Sequence, residues 1–343
     1  MDFKINNRAK RSIYKQIVEQ VERGVRDGSL TPGEQLPSMN VLADRHRISR
    51  ETVKKAYGIL VEHGFVEPRH GKGFYVKDIT QSGARCRILV VFDKFSVYKQ
   101  IAFDAFAETL PSGTEINILS HDQNPDLLEY FLDTYLDNYD YYVIAPHFPG
   151  EDEEAQKRVV KLLERVPVRK LILIDNLQAG MKGHFGSVYQ DFDNDIHDCL
   201  AKNISPSAKL GHLRVITLAS SMYGPRITKS VQRFAAERGI EAECMYGVPE
   251  TVNKGDTFLL LNSSLDAGLV ELSRKIRENG YEVGKDVKII SYNEYPMNEL
   301  ILGGLTTVST DFPEMGRLAA EMIINHNLVK IRNPFRMTRR KSF

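Results

Sequence analysis

The chain has 343 residues, 42% hydrophobic and 27% charged, a length above the usual single domain and a composition that excludes a disordered or fibrous protein. No apolar run approaches the roughly 20 residues a membrane span needs. The opening Met1-Asp2-Phe3-Lys4-Ile5 has no apolar signal core, so a cytoplasmic location is expected. Net charge is +1, but residues 1–77 hold 15 Lys and Arg against 9 Asp and Glu, while the remainder holds 31 against 36. A basic head on a mildly acidic body fits a nucleic-acid-binding module joined to a separate domain. Cys86, Cys199 and Cys244 are odd in number and far apart, without metal-ligand spacing, and read as reduced, buried core thiols.

In the head, Ile13, Ile17, Val21 and Val25 recur every fourth residue, with Tyr14 and Val18 beside them, and predict a helix ended by Gly28. Pro32-Gly33 makes a turn, and Ser38 caps a second helix with Val41, Leu42 and Ala43 as its apolar positions. Ser49 is the N-cap of a third helix, and Ile48 before it packs on Val53 as a hydrophobic staple. Val53, Ala56, Tyr57 and Leu60 form its buried stripe. Arg50, Lys54, Glu51 and Lys55 lie on the other side, with Glu51 and Lys55 at pairing distance. Two alternating stretches, 65–67 and 74–76, flank the basic glycine turn Arg69-His70-Gly71-Lys72-Gly73 and predict a wing. This is the layout of a winged helix-turn-helix. Arg50 near the helix start is placed to fork onto a guanine edge, and Lys54 to neutralise phosphate.

Residues 12–76 resemble the winged-helix domain of GntR-type bacterial transcription regulators. The resemblance rests on Ile13-Tyr14-Lys15-Gln16-Ile17, Gly28-Ser29-Leu30, Pro32-Gly33-Glu34, Leu36-Pro37-Ser38, Leu42-Ala43, Ile48-Ser49-Arg50, Thr52-Val53, Ala56-Tyr57, Leu60, His63-Gly64 and Gly71-Lys72-Gly73. It implies that Ser49, Arg50, Glu51, Thr52 and Lys54 face the major groove and that His70 and Gly71 reach the minor groove. Ser38, Asn40, Arg69 and Lys72 complete the expected DNA-contacting set; Asn40 stands where the family usually has an arginine.

Residues 1–78 are therefore expected to form the DNA-binding domain, 79–86 a small polar linker, and 87–343 a two-lobed effector-binding and dimerisation domain. Over the last range apolar runs alternate with helical patterns. Strands are predicted at 88–92, 116–119, 141–144, 171–174, 213–218, 258–261 and 287–290. Helices are predicted around Ile101, Ala105 and Phe106, and over 126–136, 151–165, 226–238 and 267–279, the sign of a parallel α/β sheet. Neither a dinucleotide glycine fingerprint nor a Walker loop follows any strand, so no cofactor is expected. Asp191, Asp193 and Asp195 open like a calcium loop, but Ile196 and Lys202 stand where glycine and glutamate are required. His197 and Cys199 lack a second pair for zinc, so no metal is expected.

Residues 280–311 resemble the sugar-responsive core of LacI-type repressors, related to periplasmic sugar-binding proteins. The carrying residues are Gly280-Tyr281, Val283, Asp286-Val287, Ser291-Tyr292-Asn293-Glu294, Leu305-Thr306-Thr307-Val308 and Asp311, continued by Gly316-Arg317 and Ala319-Ala320. The terminal Arg340-Lys341-Ser342 resembles that family's closing strand. The expected fold is thus α/β, a winged helix-turn-helix followed by a two-lobed periplasmic-binding-protein-like domain with parallel sheets. In such a fold a ligand sits at the carboxyl ends of the strands. This makes Asp93, Lys94, Phe95, His147, Asp175, Asn176, Asp191, Tyr223, Arg226, Ser263, Asn293 and Thr310 or Asp311 the candidate contacts. The family often has aspartate where Ser263 and Asn293 stand.

The expected function is that of a sequence-specific, homodimeric repressor of a sugar-utilisation operon, not an enzyme and not membrane-bound. Its partners are double-stranded operator DNA and a monosaccharide or sugar phosphate. Resemblance to arabinose-responsive repressors of this two-part build implies a pentose, or a deoxyhexose such as fucose. The alternative is a GntR-type head fused to a cofactor-binding, enzyme-like body.

Overall fold

The computed structural model describes residues 3–6, 12–26, 29–77, 86–149, 153–207, 210–261 and 267–343. Gly28, most of the expected linker (79–85) and Ser263 lie outside the described residues. Two compact units are present, residues 1–87 with 112–115, and the remainder.

The smaller unit is built on helices α1 (Ile13–Arg26), α2 (Met39–His46) and α3 (Arg50–Glu62), followed by strands β1 (Val66–Arg69) and β2 (Gly73–Val76). Ser38 Oγ accepts the Val41 N–H at 3.2 Å, and Ser49 Oγ accepts the Thr52 N–H at 3.1 Å, so each short helix starts on a side-chain cap. The stripe of α3 is buried as its spacing predicts: Val53, Ala56, Tyr57 and Leu60 are each 0% exposed, packed with Ile17, Val21 and Leu42. Tyr57 ties three parts together, donating to the Pro37 carbonyl at 2.8 Å and meeting the Phe74 ring edge-on at 4.9 Å. Val41 departs from expectation. It is 48% exposed, because successive helical residues point about 100° apart and Leu42 and Ala43 already occupy the inward face. The expected Glu51–Lys55 pair is also absent. Lys54 Nζ lies 3.7 Å from Glu51, and Lys55 Nζ sits 4.2 Å over the Tyr14 ring.

β1 and β2 pair antiparallel from Val66↔Val76 to Arg69↔Gly73. Residues 33–36 add a third line of bonds through Gly33 N–H to Val76 O, Val76 N–H to Glu34 O and Leu36 N–H to Phe74 O. At the tip, Gly71 turns with φ of +70°, a region that glycine enters without steric cost.

The larger unit runs β3 (Arg87–Phe92), α4 (Val97–Thr109), β4 (Glu115–Ser120), α5 (Pro125–Tyr135), β5 (Tyr141–Ile144), α6 (Glu153–Leu163), β6 (Leu171–Asp175) and β7 (Gly186–Tyr189). It continues with α7 (Asp195–Asn203), β8 (Leu213–Thr217), α8 (Gly224–Glu237), β9 (Ala242–Tyr246), β10 (Thr257–Leu260), α9 (Ala267–Glu278), β11 (Lys288–Tyr292) and β12 (Thr306–Thr310). It closes with α10 (Phe312–Ile324), β13 (Lys330–Arg332) and β14 (Phe335–Thr338). Two six-stranded sheets result, ordered β13-β7-β6-β5-β3-β4 and β14-β12-β11-β10-β8-β9. Strands β5, β6, β8, β10 and β12 are buried at every position, as strands covered by helices on both faces must be.

The sheets are mixed at one edge, where β14 pairs antiparallel with β12. The closing strand is Phe335–Thr338 and not the expected 340–342. The tail beyond it leaves the ladder and is fixed by Ile289 N–H to Ser342 O at 2.8 Å and by Arg340 on Glu294 at 2.8 Å. Of the three cysteines only Cys199 is buried; Cys86 and Cys244 are half-buried thiols.

The chain passes between the sheets three times: between β7 and α7, between β12 and α10, and between β13 and β14. The carboxyl ends of both sets of parallel strands gather their loops near these crossings. The third-ranked strand of each sheet ends in the same unusual way. Asp175 closes β6 and Asn293 follows β11, both with φ of +74°. Asp and Asn are the non-glycine residues that tolerate this left-handed region best.

Candidate DNA-binding surface and effector site

On the smaller unit Ser38, Asn40, Ser49, Arg50, Glu51, Lys54, Arg69, His70, Gly71 and Lys72 are all exposed, and Thr52 is half-buried. Those on α3 occupy the face opposite its buried stripe. Ser49 and Thr52 share their hydroxyls at 2.7 Å, so the cap itself is partly spent on local order. Arg69 is held in the wing by Glu67 at 2.9 Å and by stacking 4.4 Å over Tyr75. Gln35 braces the wing tip from the preceding loop, donating Nε2–H to the Lys72 carbonyl at 2.6 Å. That bond is not legible in sequence, because Gln35 lies 37 residues from Lys72 and carries no local signal.

In the larger unit the sequence candidates separate into two groups. Asp93, His147, Asp175 and Tyr223 come together. Lys99 Nζ lies 3.2 Å from Asp93 and is bonded to Asp175 Oδ2. His147 Nε2 is 2.9 Å from the same oxygen, and Gln190 donates to Asp175 Oδ1 at 2.5 Å. Two arms then reach the second lobe. His147 Nδ1 meets the Tyr223 hydroxyl at 2.5 Å, and the Tyr292 hydroxyl lies 3.5 Å from Gln190 Oε1. Tyr223 stacks on Phe192 with centroids 3.9 Å apart. His121, 0% exposed, donates Nε2–H to the Ala145 carbonyl at 2.9 Å and stacks on Phe148 at 4.2 Å.

The charge states follow from these neighbours. Burial alone raises the carboxyl of Asp175, but the positive charge of Lys99 and the His147 contact override it and hold it well below the carboxylate range. Burial likewise disfavours the Lys99 ammonium, yet Asp175 and Asp93 hold its pKa above the ordinary value. Burial holds the His121 imidazole below its usual value, and it keeps the Tyr223 hydroxyl protonated far above neutral pH.

The other candidates lie apart from this cluster or are held in local structure. Lys94 and Phe95 are exposed, Phe95 at 70%. Arg226 forks onto Asp193. Asp191 caps its own turn through the Asp193 N–H and Asn194 Nδ2. Asp311 is the N-cap of α10, accepting the Glu314 N–H at 3.1 Å, and Thr310 accepts from Asn333 at 2.7 Å. Asn176 donates to the Pro146 carbonyl at 3.2 Å. Asn293 Oδ1 is buried without a partner.

Sequence reading missed Lys99, His121, Gln190 and Tyr292. A signal existed for Lys99: with Ala102 and Phe106 it makes the i, i+3, i+7 buried stripe of α4, and a lysine on such a stripe requires carboxylate partners. His121 follows β4 as directly as the chosen candidates follow their strands, whereas Gln190 follows β7, a strand not predicted.

The comparisons agree with this geometry. Residues 13–76 match the model of bacterial regulatory proteins, gntR family, and residues 207–339 match that of a periplasmic binding protein-like domain. The chain is 30% identical over 121 residues to the uncharacterized HTH-type transcriptional regulator YurK of Bacillus subtilis, a match covering 35% of this chain and 45% of that protein. Less than half of the relative's length is therefore spanned. The trehalose repressor of Escherichia coli superposes with a TM-score of 0.57 at 16% identity, over 74% of this chain and 99% of the other. The dimeric Lac repressor does so with 0.55 at 14% identity, over 75% and 98%. At such identities the likeness is one of fold. The chain thus joins a GntR-family winged helix-turn-helix domain to a periplasmic-binding-protein-like domain.

Proposed function

We propose that this protein is a ligand-controlled transcriptional repressor that binds operator DNA as a homodimer and responds to a sugar taken between its two lobes. The observation that carries the reading is the division of α3 into a fully buried stripe and an exposed cationic face beside a basic wing. Such a helix presents Arg50 and Lys54 to a major groove, and the wing backbone at Gly71 follows the duplex closely. In a dimer, two such helices meet half-sites about one helical turn apart.

On the ligand side, Asp175 is a hub from which one arm through His147 and one through Gln190 reach Tyr223 and Tyr292 of the other lobe. A hydroxyl-rich ligand entering there exchanges hydrogen bonds with both arms. It changes the lobe geometry and, with it, the spacing of the two heads, a coupling typically worth about 1–3 kcal/mol. The site residues Asp93, His147, Asp175 and Tyr223 are assigned to it.

The test is operator binding titrated against a panel of sugars, beginning with arabinose and fucose and including their phosphates. The expected result is a several-fold change in operator affinity with one of them. A panel that leaves affinity unmoved throughout overturns the sugar reading, while loss of operator binding itself overturns the regulator. The alternative enzyme-like body has no specific observation in its favour.

A further inference from the structure

Tyr223 does in the polar cluster what a bound sugar would do. A sugar ring is held by laying an apolar face on an aromatic ring and turning its hydroxyls toward a few fixed polar groups. The Tyr223 ring lies on Phe192 with centroids 3.9 Å apart and 8° between the planes, and its hydroxyl meets His147 Nδ1 at 2.5 Å. One side chain of the second lobe thus supplies both the flat face and the hydroxyl, and it reaches an imidazole of the first lobe.

Nothing beside that contact is left open. Phe192 is 5% exposed and His147 4% exposed. Both ring nitrogens of His147 are engaged, Nδ1 by Tyr223 and Nε2 by Asp175 at 2.9 Å. The engagement of Nδ1 holds whichever partner carries the proton, because a tyrosine hydroxyl both donates and accepts. Asp175 is filled in turn: Gln190 donates to Oδ1 at 2.5 Å, and Lys99 and His147 both lie on Oδ2. A sugar hydroxyl reaches His147 Nδ1, and a sugar face reaches this side of Phe192, only where Tyr223 has given them up.

Tyr223 is also placed to give them up. It ends the loop between β8 and α8 and stands at the N-cap position of α8, where its side chain makes no cap bond. Leu218, Ala219 and Ser220 in that loop are exposed. The backbone is fixed to the helix by Ile227 N–H on Tyr223 O at 3.0 Å and by Gly224 N–H on Ser221 Oγ at 3.0 Å. Withdrawing the ring therefore breaks the His147 bond and the Phe192 stack and leaves the start of α8 intact.

We propose that Tyr223 is a tethered occupant of the effector site, a side chain that holds the place of the sugar between the lobes and that the sugar must displace. This rests on the reading of the body as a sugar sensor, and makes Tyr223 the competitor of the ligand at His147 and Phe192. Apparent affinity is then the intrinsic affinity reduced by the fraction of molecules in which Tyr223 is withdrawn.

The experiment is calorimetric titration of the full-length protein, and of its Tyr223→Phe and Tyr223→Leu variants, with arabinose, fucose and their phosphates. A urea melt shows that each variant is folded. Tyr223→Phe keeps the ring on Phe192 and removes only the hydroxyl, so it should bind the recognised sugar about two- to tenfold tighter, the size of one hydrogen bond. Tyr223→Leu also takes the aromatic ring from Phe192 and should gain more. Binding by the variants with a silent parent supports the inference equally. Equal or weaker binding by either variant overturns it, makes Tyr223 a contact of the bound ligand and leaves the sugar sensor standing. No binding by the parent or by either variant overturns the sugar sensor along with it.

Discussion

Arg50 and Lys54 sit one helical turn apart on the exposed face of α3 and have different expected roles. Arg50, in the first turn, is the expected reader of base edges, so Arg50→Ala should cost about 1–3 kcal/mol of specific operator affinity and relax base preference at one position. Lys54, paired only loosely with Glu51 at 3.7 Å, is the expected phosphate contact. Lys54→Ala should weaken specific and non-specific DNA alike and lower the salt slope by about one. Fluorescence anisotropy over a salt series separates the two, and an Arg50→Ala protein with unchanged operator affinity removes α3 as the recognition helix.

A second residue-level expectation concerns Asp195, 3% exposed at the start of α7. Burial pushes its carboxyl up to about 6, against the pull of Arg332 and with a further push from Asp191. An acid whose folded value is raised is most stabilising while protonated. Its contribution is therefore full below the unfolded value near 3.8 and lost as pH rises to about 6. The stability of the parent protein relative to Asp195→Asn should accordingly fall between these pH values in urea melts. A rise over the same window would mean that Arg332 dominates.

Between elements, the tightest constraint is the crossing of α4 and α10. A Cβ placed on Gly316 would stand 1.9 Å from the Ala102 carbonyl oxygen and 2.8 Å from the Phe106 nitrogen, so these helices touch backbone to backbone. Gly316→Ala has nowhere to yield except by separating the helices, and should cost about 1–3 kcal/mol in denaturant unfolding. An unchanged midpoint would show that the crossing relaxes freely. The sequence pointed at this glycine through a family resemblance but held no sign of the close approach, which depends on a helix some 210 residues earlier in the chain.

The same contrast holds elsewhere. The stripe of α3 was legible because cap, staple and period all lie within thirteen residues, 48–60. The long apolar strands were legible because both faces of a covered sheet demand apolar side chains. The strands β7, Gly-Ser-Val-Tyr, and β9, Ala-Glu-Cys-Met-Tyr, were not, because one is short and the other is a half-exposed edge. The buried polar cluster was legible at Asp93, His147 and Asp175, where strand ends announce it. It was illegible at Gln190 and Tyr292, where a strand not predicted and a residue inside the sheet bring distant parts together.

For the molecule to act as a switch, its lobes must move about the three crossings, and one residue ties them together, by its backbone at the first and its side chain at the second. Asn333, 2% exposed between β13 and β14, donates its backbone N–H to Tyr189 O at 2.8 Å on the first crossing. Its Nδ2 donates to Thr310 Oγ1 at 2.7 Å and to Asp311 O at 2.8 Å on the second, and the Asp311 N–H returns to Pro334 O at 2.9 Å. Just before it, Arg332 is bonded to Asp195 and Asp198 at the far end of the first crossing. A pivot laced in this way keeps the crossings in one register while the lobes rotate, so a change at Asp175 becomes a defined rotation and not a general loosening. Asn333→Ala removes both Nδ2 bonds and strands two buried acceptors, which should lower stability by about 1–3 kcal/mol. Its more telling effect lies in function. Operator affinity without ligand should change little, because neither α3 nor the wing is touched, whereas the ligand-induced change in that affinity should shrink toward nothing. Thr310→Val, which deletes one acceptor and leaves Asn333 in place, should give a partial version of the same loss. If both variants keep the parent's full ligand response in operator titrations, the lobes pivot elsewhere and Asn333 is only a structural fastening.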